Sequence, residues 1–273
     1  MNKKAACILI LILLLGYALI VGIIFMVKEE PNDNPDNNGS NIDIDNDPVE
    51  ITYDYLEINN IIQLRNNGGI WSLASNEEFD EVLFDIYVNK TFFGNYYLKK
   101  GVNWNIFDEN NNYIDYDGDL VAGTSGLKMN VRNNNISVVD SIDLQEASSI
   151  LENNIDMMSL STNQKVMLDL DSNGIMDKVI SLSNIFSEID QSVYFNLLYV
   201  NLNGEIIVLE KELVNSANIL VSPTYRIGYF INLLDSQYDS IFIQKGYFSN
   251  AGETTYLIYE YTDNTYSLTF DGN

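Results

Sequence analysis

The chain has 273 residues, 46 % hydrophobic and 12 % aromatic, enough to bury a real core over most of its length. Fourteen Lys and Arg against 39 Asp and Glu give a net charge of −25, which excludes unaided binding to a nucleic-acid backbone, where each phosphate contact needs a cation. With no histidine and one cysteine, Cys7, the sequence also excludes His-assisted nucleophilic catalysis, His- or Cys-caged metals and internal disulfides.

Residues 5–27 carry no charge and are long enough to cross a bilayer core, which takes about 20 helical residues. Lys3 and Lys4 precede this run, while Glu29, Glu30 and several aspartates follow it. The positive-inside bias therefore predicts a transmembrane helix over 5–27, a cytoplasmic stub over 1–4, and an extracytoplasmic remainder at the cell membrane. A cleaved signal peptide is the rival reading; its apolar core is usually about 7–15 residues and ends in small residues, whereas this run ends Ile-Ile-Phe-Met-Val. Residues 28–50 hold three prolines and many Asn and Asp, so they read as a disordered, self-repelling acidic tether. An uncleaved anchor, an acidic tether and an Asn-, Ile- and Tyr-rich chain resemble the surface proteins of low-GC bacteria.

Residues 51–140 read as a small α+β region. Ile51, Tyr55, Ile58 and Ile62 fall at helical spacing, with Gly68-Gly69 as a stop. Ser75 and Glu78 form a capping box ahead of Phe79, Val82, Leu83, Ile86 and Tyr87, which predicts a helix over 76–88. Alternation then predicts strands around Trp104 and Ile106 and around Leu127, Met129 and Val131. Residues 104–131 resemble a small β module of surface proteins in clostridia-like bacteria that precedes a calcium-loop domain. Asp115, Asp117 and Asp119 flank Gly118, an arrangement open to a cation or to a plain polar turn. Residues 141–163 read as a connecting helix and linker, the helix falling over 143–154.

The richest motif lies in 166–182. Asp169, Asp171, Asn173 and Asp177 occupy positions 1, 3, 5 and 9 of a loop whose sixth residue is Gly174, and Ile175 at position 7 would add a backbone carbonyl. Alternate residues of a tightly curled loop can aim oxygens at one centre, and an all-oxygen set suits a hard cation, calcium above all. A metal-free acidic turn is the alternative. The loop resembles the calcium loop of FG-GAP/VCBS-type repeats over about 164–271. That resemblance implies strand–loop–strand, with Ile180 buried. An EF-hand or dockerin loop would need a carboxylate where Ile180 stands and a helix after it; the upstream segment of such a duplicated dockerin offers Arg132 and Ile136 where ligands belong.

After the loop, apolar stretches over 193–201 and 205–212 flank Asn203-Gly204, a hairpin signal. A second series follows over 229–234, 241–245, 254–261 and 266–270, and its loop, Asp235 to Asp239, is shorter and lacks the glycine. The fold expected is mainly β with a few helices: an N-terminal transmembrane helix, a small mixed middle region, and C-terminal antiparallel sheets over 164–273 forming two degenerate propeller-blade-like units. Tyr194, Tyr199, Tyr256, Tyr259, Tyr261 and Tyr266 lie in these strands, and those on solvent faces would be contact residues.

The functional expectation is a non-enzymatic, membrane-anchored adhesion module of the bacterial cell surface, calcium-stabilised, binding an extracellular protein or glycan and no nucleic acid. The alternatives are an acidic hydrolase with paired carboxylates, an envelope-assembly or sensory protein, and a dockerin-like assembly module.

Overall fold

The structure, a computed structural model, describes residues 53–152, 154–155, 160–184, 194–214, 222–247 and 250–272. The apolar run 5–27 and the acidic stretch 28–50 lie outside these residues. No described helix is long and apolar enough to cross a membrane. Residues 50–273 form one compact unit, mainly β, with antiparallel sheets and one α-helix among the described residues.

Sheet one has eight strands: β1 (Asp54–Ile58), β2 (Ile62–Asn67), β3 (Ile70–Leu73), β4 (Leu83–Val88), β5 (Thr91–Lys100), β6 (Trp104–Phe107), β7 (Tyr113–Ile114) and β8 (Leu120–Thr124), in the order β3-β2-β1-β8-β4-β5-β6-β7. Two short strands follow, β9 (Asn130–Val131) and β10 (Ile136–Ser137), then helix α1 (Ser141–Leu151). Sheet two joins β10 to the meander β11 (Thr162–Leu168), β12 (Asp177–Ser183), β13 (Tyr194–Leu202) and β14 (Glu205–Val214). Sheet three joins β9 to a second meander, β15 (Pro223–Asn232), β16 (Ser240–Tyr247), β17 (Asn250–Thr262) and β18 (Thr265–Asp271). The C-terminal strands thus arrive in the expected order, with bounds shifted by a few residues at most positions and by six at the start of β15.

Strand alternation gives sheet three two apolar faces, as a sheet buried on both sides requires. Tyr229, Ile231, Phe242 and Ile258 pack with Leu56, Ile58 and Leu64 of sheet one. Ile227, Phe230, Ile241 and Leu257 pack with Val166, Val179, Leu198 and Val200 of sheet two. Helix α1 covers the far face of sheet two through Ala147 and Leu151, against Ile180, Leu182 and Leu197. It is capped by Asp140, whose Oδ1 accepts from Ile142 N and Asp143 N. Buried Asp143 also accepts from Lys165 Nζ at 2.7 Å and Lys178 Nζ at 3.0 Å, which pins the helix to β11 and β12.

Two expected helices are strands. Helical spacing from Ile51 to Ile62 gives way to β1 and β2, joined by Asn59 and Asn60 at φ 51° and 60°. Leu56, Ile58, Ile62 and Leu64 satisfy period two as well as they suggest period 3.6, and the cluster they complete decides the outcome. Gly68 and Gly69 turn β2 into β3 instead of ending a helix. In the segment 76–88 the Ser75–Glu78 capping box forms, but only a 3-10 turn, Asn76–Phe79, follows it. Glu81 then takes φ 63°, and β4 pairs with β5 and β8, burying Phe84 and Ile86 with Phe79, Leu98 and Trp104. Tertiary pairing overrides a one-turn helical signal.

The tyrosines of the C-terminal strands are mostly interior. Tyr199, Tyr256, Tyr259 and Tyr266 are buried; the Tyr259 hydroxyl donates to Glu210 at 2.6 Å and that of Tyr266 to the Asp239 carbonyl at 3.0 Å. Tyr261 stacks on Tyr238 at 3.8 Å between ring centroids. The side chain of Tyr194 lies outside the described residues.

Candidate metal centre

Residues 169–176 connect β11 to β12 where two would close a hairpin, and the extra length curls inward. Two positions reverse the chain, Ser172 at φ 57° and Gly174 at φ 87°, the second a conformation glycine adopts without strain. The carboxylate of Asp169 fastens the turn, accepting from Asn173 N at 3.0 Å and Gly174 N at 2.9 Å, and Asn173 Oδ1 accepts from Ile175 N at 2.7 Å. One carboxylate oxygen each from Asp169, Asp171 and Asp177 lies within 4.8 Å of the others. Asp171 and Asp177 are buried.

Asp177 is the best-held member. Its Oδ2 accepts from Leu170 N and its Oδ1 from Asn203 N, both at 2.9 Å. Burial pushes its carboxyl up, the two backbone donors oppose that, and the charges of Asp171 and Asp169 raise it further. Three carboxylates gathered so closely repel one another unless a cation neutralises them. The converging ligand atoms are carboxylate oxygens, a set for a hard cation, and the cluster can hold a metal ion.

Asp169, Asp171 and Asp177 converge, and Asn173 joins them through its Nδ2 bond to Asp171 Oδ2 at 2.9 Å. Ile175 turns its side chain to solvent, and its backbone N–H donates to Asn173 Oδ1. Sequence reasoning missed Asn203. It sits in the β13–β14 turn at φ 53°, donates through Nδ2 to Asp171 Oδ2 at 2.7 Å, and accepts through Oδ1 from Asn173 Nδ2 at 2.7 Å. The signal was the strand register: Lys178 pairs with Asn201, so the turn after β13 lies beside the start of β12. The segment after the loop is the strand β12, with Ile180 fully buried, so the helix that an EF-hand or dockerin loop needs is not there.

The equivalent loop of the second meander, between β15 and β16, is built differently. Asp235 is exposed and pairs with Lys128 at 2.7 Å. Asp239 is 1 % exposed, and its carboxylate accepts no directed hydrogen bond. Arg132 Nε lies 3.4 Å from Asp239 Oδ2, while Arg132 Nη2 donates to the Asp169 carbonyl at 3.2 Å. Burial raises the Asp239 carboxyl on balance, with Arg132 and then Asn232 opposing it. The two loops also touch directly, Asp239 N donating to Leu170 O at 2.8 Å.

Elsewhere, Asp115, Asp117 and Asp119 are exposed, and Asn89 ties their turn through Asp117 O and Asp119 N. Among the described residues, Glu57 is a carboxylate that burial pushes up to about 7. It is fully buried and accepts from Asn60 N and from Gln63 Nε2, so a substrate cannot reach it. No family model matches the chain, nor does any curated protein or solved structure.

Proposed function

We propose that the chain is a non-enzymatic surface-binding module, anchored by residues 5–27 with its N-terminus in the cytoplasm, whose C-terminal β region is stabilised by calcium. The two meanders serve as degenerate propeller-blade-like units of the FG-GAP/VCBS type, and the ligand is an extracellular protein or glycan. One observation carries the reading: the carboxylates of Asp169, Asp171 and Asp177 meet within 4.8 Å in a loop between two strands. Calcium takes six to eight oxygens at about 2.3–2.6 Å in variable geometry, and three loop carboxylates, each able to give one oxygen or two, meet that need better than they meet magnesium's strict octahedron. The hydrolase alternative wants a reachable carboxylate of raised pKa, and Glu57 is closed off.

Differential scanning calorimetry of the purified full chain tests the proposal. At about 100 times Kd, calcium adds roughly 2.7 kcal/mol, a shift of several degrees for a unit of this size. Equal melting in millimolar calcium and in chelator would end the calcium reading. Protease digestion of intact protoplasts tests the orientation: everything past residue 28 is cut, and protection of the β region would reverse it.

A further inference from the structure

Leu83, Tyr97, Phe107 and Tyr113 form a row across sheet one. The register pairs Leu83 with Tyr97 across β4 and β5, Tyr97 with Phe107 across β5 and β6, and Phe107 with Tyr113 across β6 and β7. Their chain neighbours Phe84, Leu98 and Ile106 are fully buried under the opposite face, so strand alternation turns the whole row outward. Leu83 is 49 % and Tyr113 54 % exposed, with Tyr97 and Phe107 half-buried between them. At about 4.8 Å per strand the row spans about 14 Å. Two adjoining hollows of about 290 and 400 Å³ open along it, sharing Tyr97, Asp108 and Glu109. A solvated sheet face needs only polar residues at such positions, and an unbroken line of four large side chains facing water marks a contact surface.

We propose that this row is a binding platform for a neutral glycan, an inference that rests on the reading of the chain as a surface binder. The rings of Tyr97 and Tyr113 can accept the apolar C–H face of a sugar ring, and the rim offers the Asn110 amide and Glu109 to its hydroxyls, together with Asn95 Oδ1 and Asn111 Nδ2, the other ends of these two amides being held by Asp85 and Lys99. Charge selects against the other classes of ligand. Lys99 Nζ already lies 5.0 Å from the centroid of Phe107, so an incoming lysine or arginine meets an ammonium in the seat it would take. Asp108 accepts from Asn110 N at 2.9 Å and from Asn112 N and Nδ2 at 2.8 Å, bonds that hold its carboxyl below the usual range and keep it charged. A polyanion meets Glu81 and Glu109 on a chain of net charge −25. A neutral polyhydroxylated chain is repelled by none of these groups and fits a platform several sugar rings long.

The test is native affinity electrophoresis of the purified full chain through gels containing mixed-linkage glucan, xyloglucan or galactomannan, with polygalacturonate as the anionic comparison and a lysine-rich peptide titrated separately. Migration slows in at least one neutral polysaccharide, equally in calcium and in chelator, because the row lies on sheet one and the metal loop on sheet two. Tyr97→Ala and the more exposed Tyr113→Ala each weaken retention about tenfold or more, as loss of a central aromatic anchor does. Leu268→Ala, which removes an equally exposed side chain from sheet three, leaves retention unchanged. No retardation by any of the three neutral polysaccharides, binding only to polygalacturonate or the peptide, or retention indifferent to both tyrosine changes would overturn the proposal. Retention without a calcium-dependent melting shift would sink the calcium reading and leave the platform standing; the reverse result would sink the platform alone.

Discussion

The two C-terminal meanders place a buried aspartate at the same point, the end of the loop between their first and second strands, and neutralise it in different ways. Asp177 receives two backbone N–H groups and shares its loop with two further carboxylates, so its surroundings are still short of positive charge. Asp239 receives no directed hydrogen bond and has Arg132 beside it. One loop gathers three carboxylates that can hold a cation from solution; the other carries a cation on the chain. Glu57 on sheet one adds a third solution, with Asn60 N and Gln63 Nε2 as its donors and no salt bridge among the described residues: burial raises its carboxyl to about 7. A buried carboxylate needs a partner, and the kind of partner decides what the loop responds to.

Removing the built-in cation has the largest expected effect. Arg132→Met leaves Asp239 buried and unpaired, a loss of about 3 kcal/mol, while the calcium-dependent shift persists. Burial already holds the folded-state pKa of Asp239 above its ordinary value, and without Arg132 it rises further, so the folded variant keeps its proton to a higher pH than the wild type does. The deficit is therefore greatest at neutral pH and shrinks as pH falls toward the ordinary carboxylate range. Chemical denaturation at two pH values reads both features; a deficit independent of pH would break the comparison.

Asp177→Ala strips the partners from Leu170 N and Asn203 N and is expected to cost about 2–3 kcal/mol in chelator, with no calcium response left. A variant that still melts higher in calcium would show that the ion sits elsewhere.

Glu57→Gln sharpens the contrast because it removes a titration without disturbing either loop. The folded carboxyl titrates near 7 against an ordinary 4.5, so folding takes up a proton between those values. Its contribution is intact below about pH 4.5 and is lost as pH rises through about 7. The variant, in which Gln63 can turn its amide to suit the new one, is expected to gain about 2 kcal/mol over the wild type between pH 5 and pH 8. A constant difference across that range would mean that Glu57 stays ionised.

The smallest effect belongs to Asn203→Gly, which keeps the left-handed turn and deletes the amide. The expected cost is about 1 kcal/mol in chelator, together with weaker calcium binding. Unaltered affinity would remove Asn203 from the centre.

The C-terminal half was legible because its signals were local and agreed with one another. Strands of period two, Asn203-Gly204 as a turn and Gly174 in the loop all point to the same hairpins, and Asp143 and its neighbours read as the helix they form. Sheet one was misread where a short apolar set fitted two periods. Phe79, Val82 and Ile86 match a helical stripe, and only pairing with the neighbouring β5 and with β8, whose partners lie 32 to 40 positions away, makes a strand of Leu83–Val88. The site shows the same division. Asp169, Asp171, Asn173 and Asp177 were visible as spacing, whereas Asn203, Arg132 beside Asp239, and the row from Leu83 to Tyr113 exist only through register between separate strands.

Isothermal titration of calcium into the full chain, compared with Asp171→Ala and Asp239→Asn, tests the difference between the loops most directly. One calcium per chain is expected in the wild type, none in Asp171→Ala, and one of unchanged affinity in Asp239→Asn. No binding by the wild type, a second site, or a site lost with Asp239 instead of Asp171 would contradict the account.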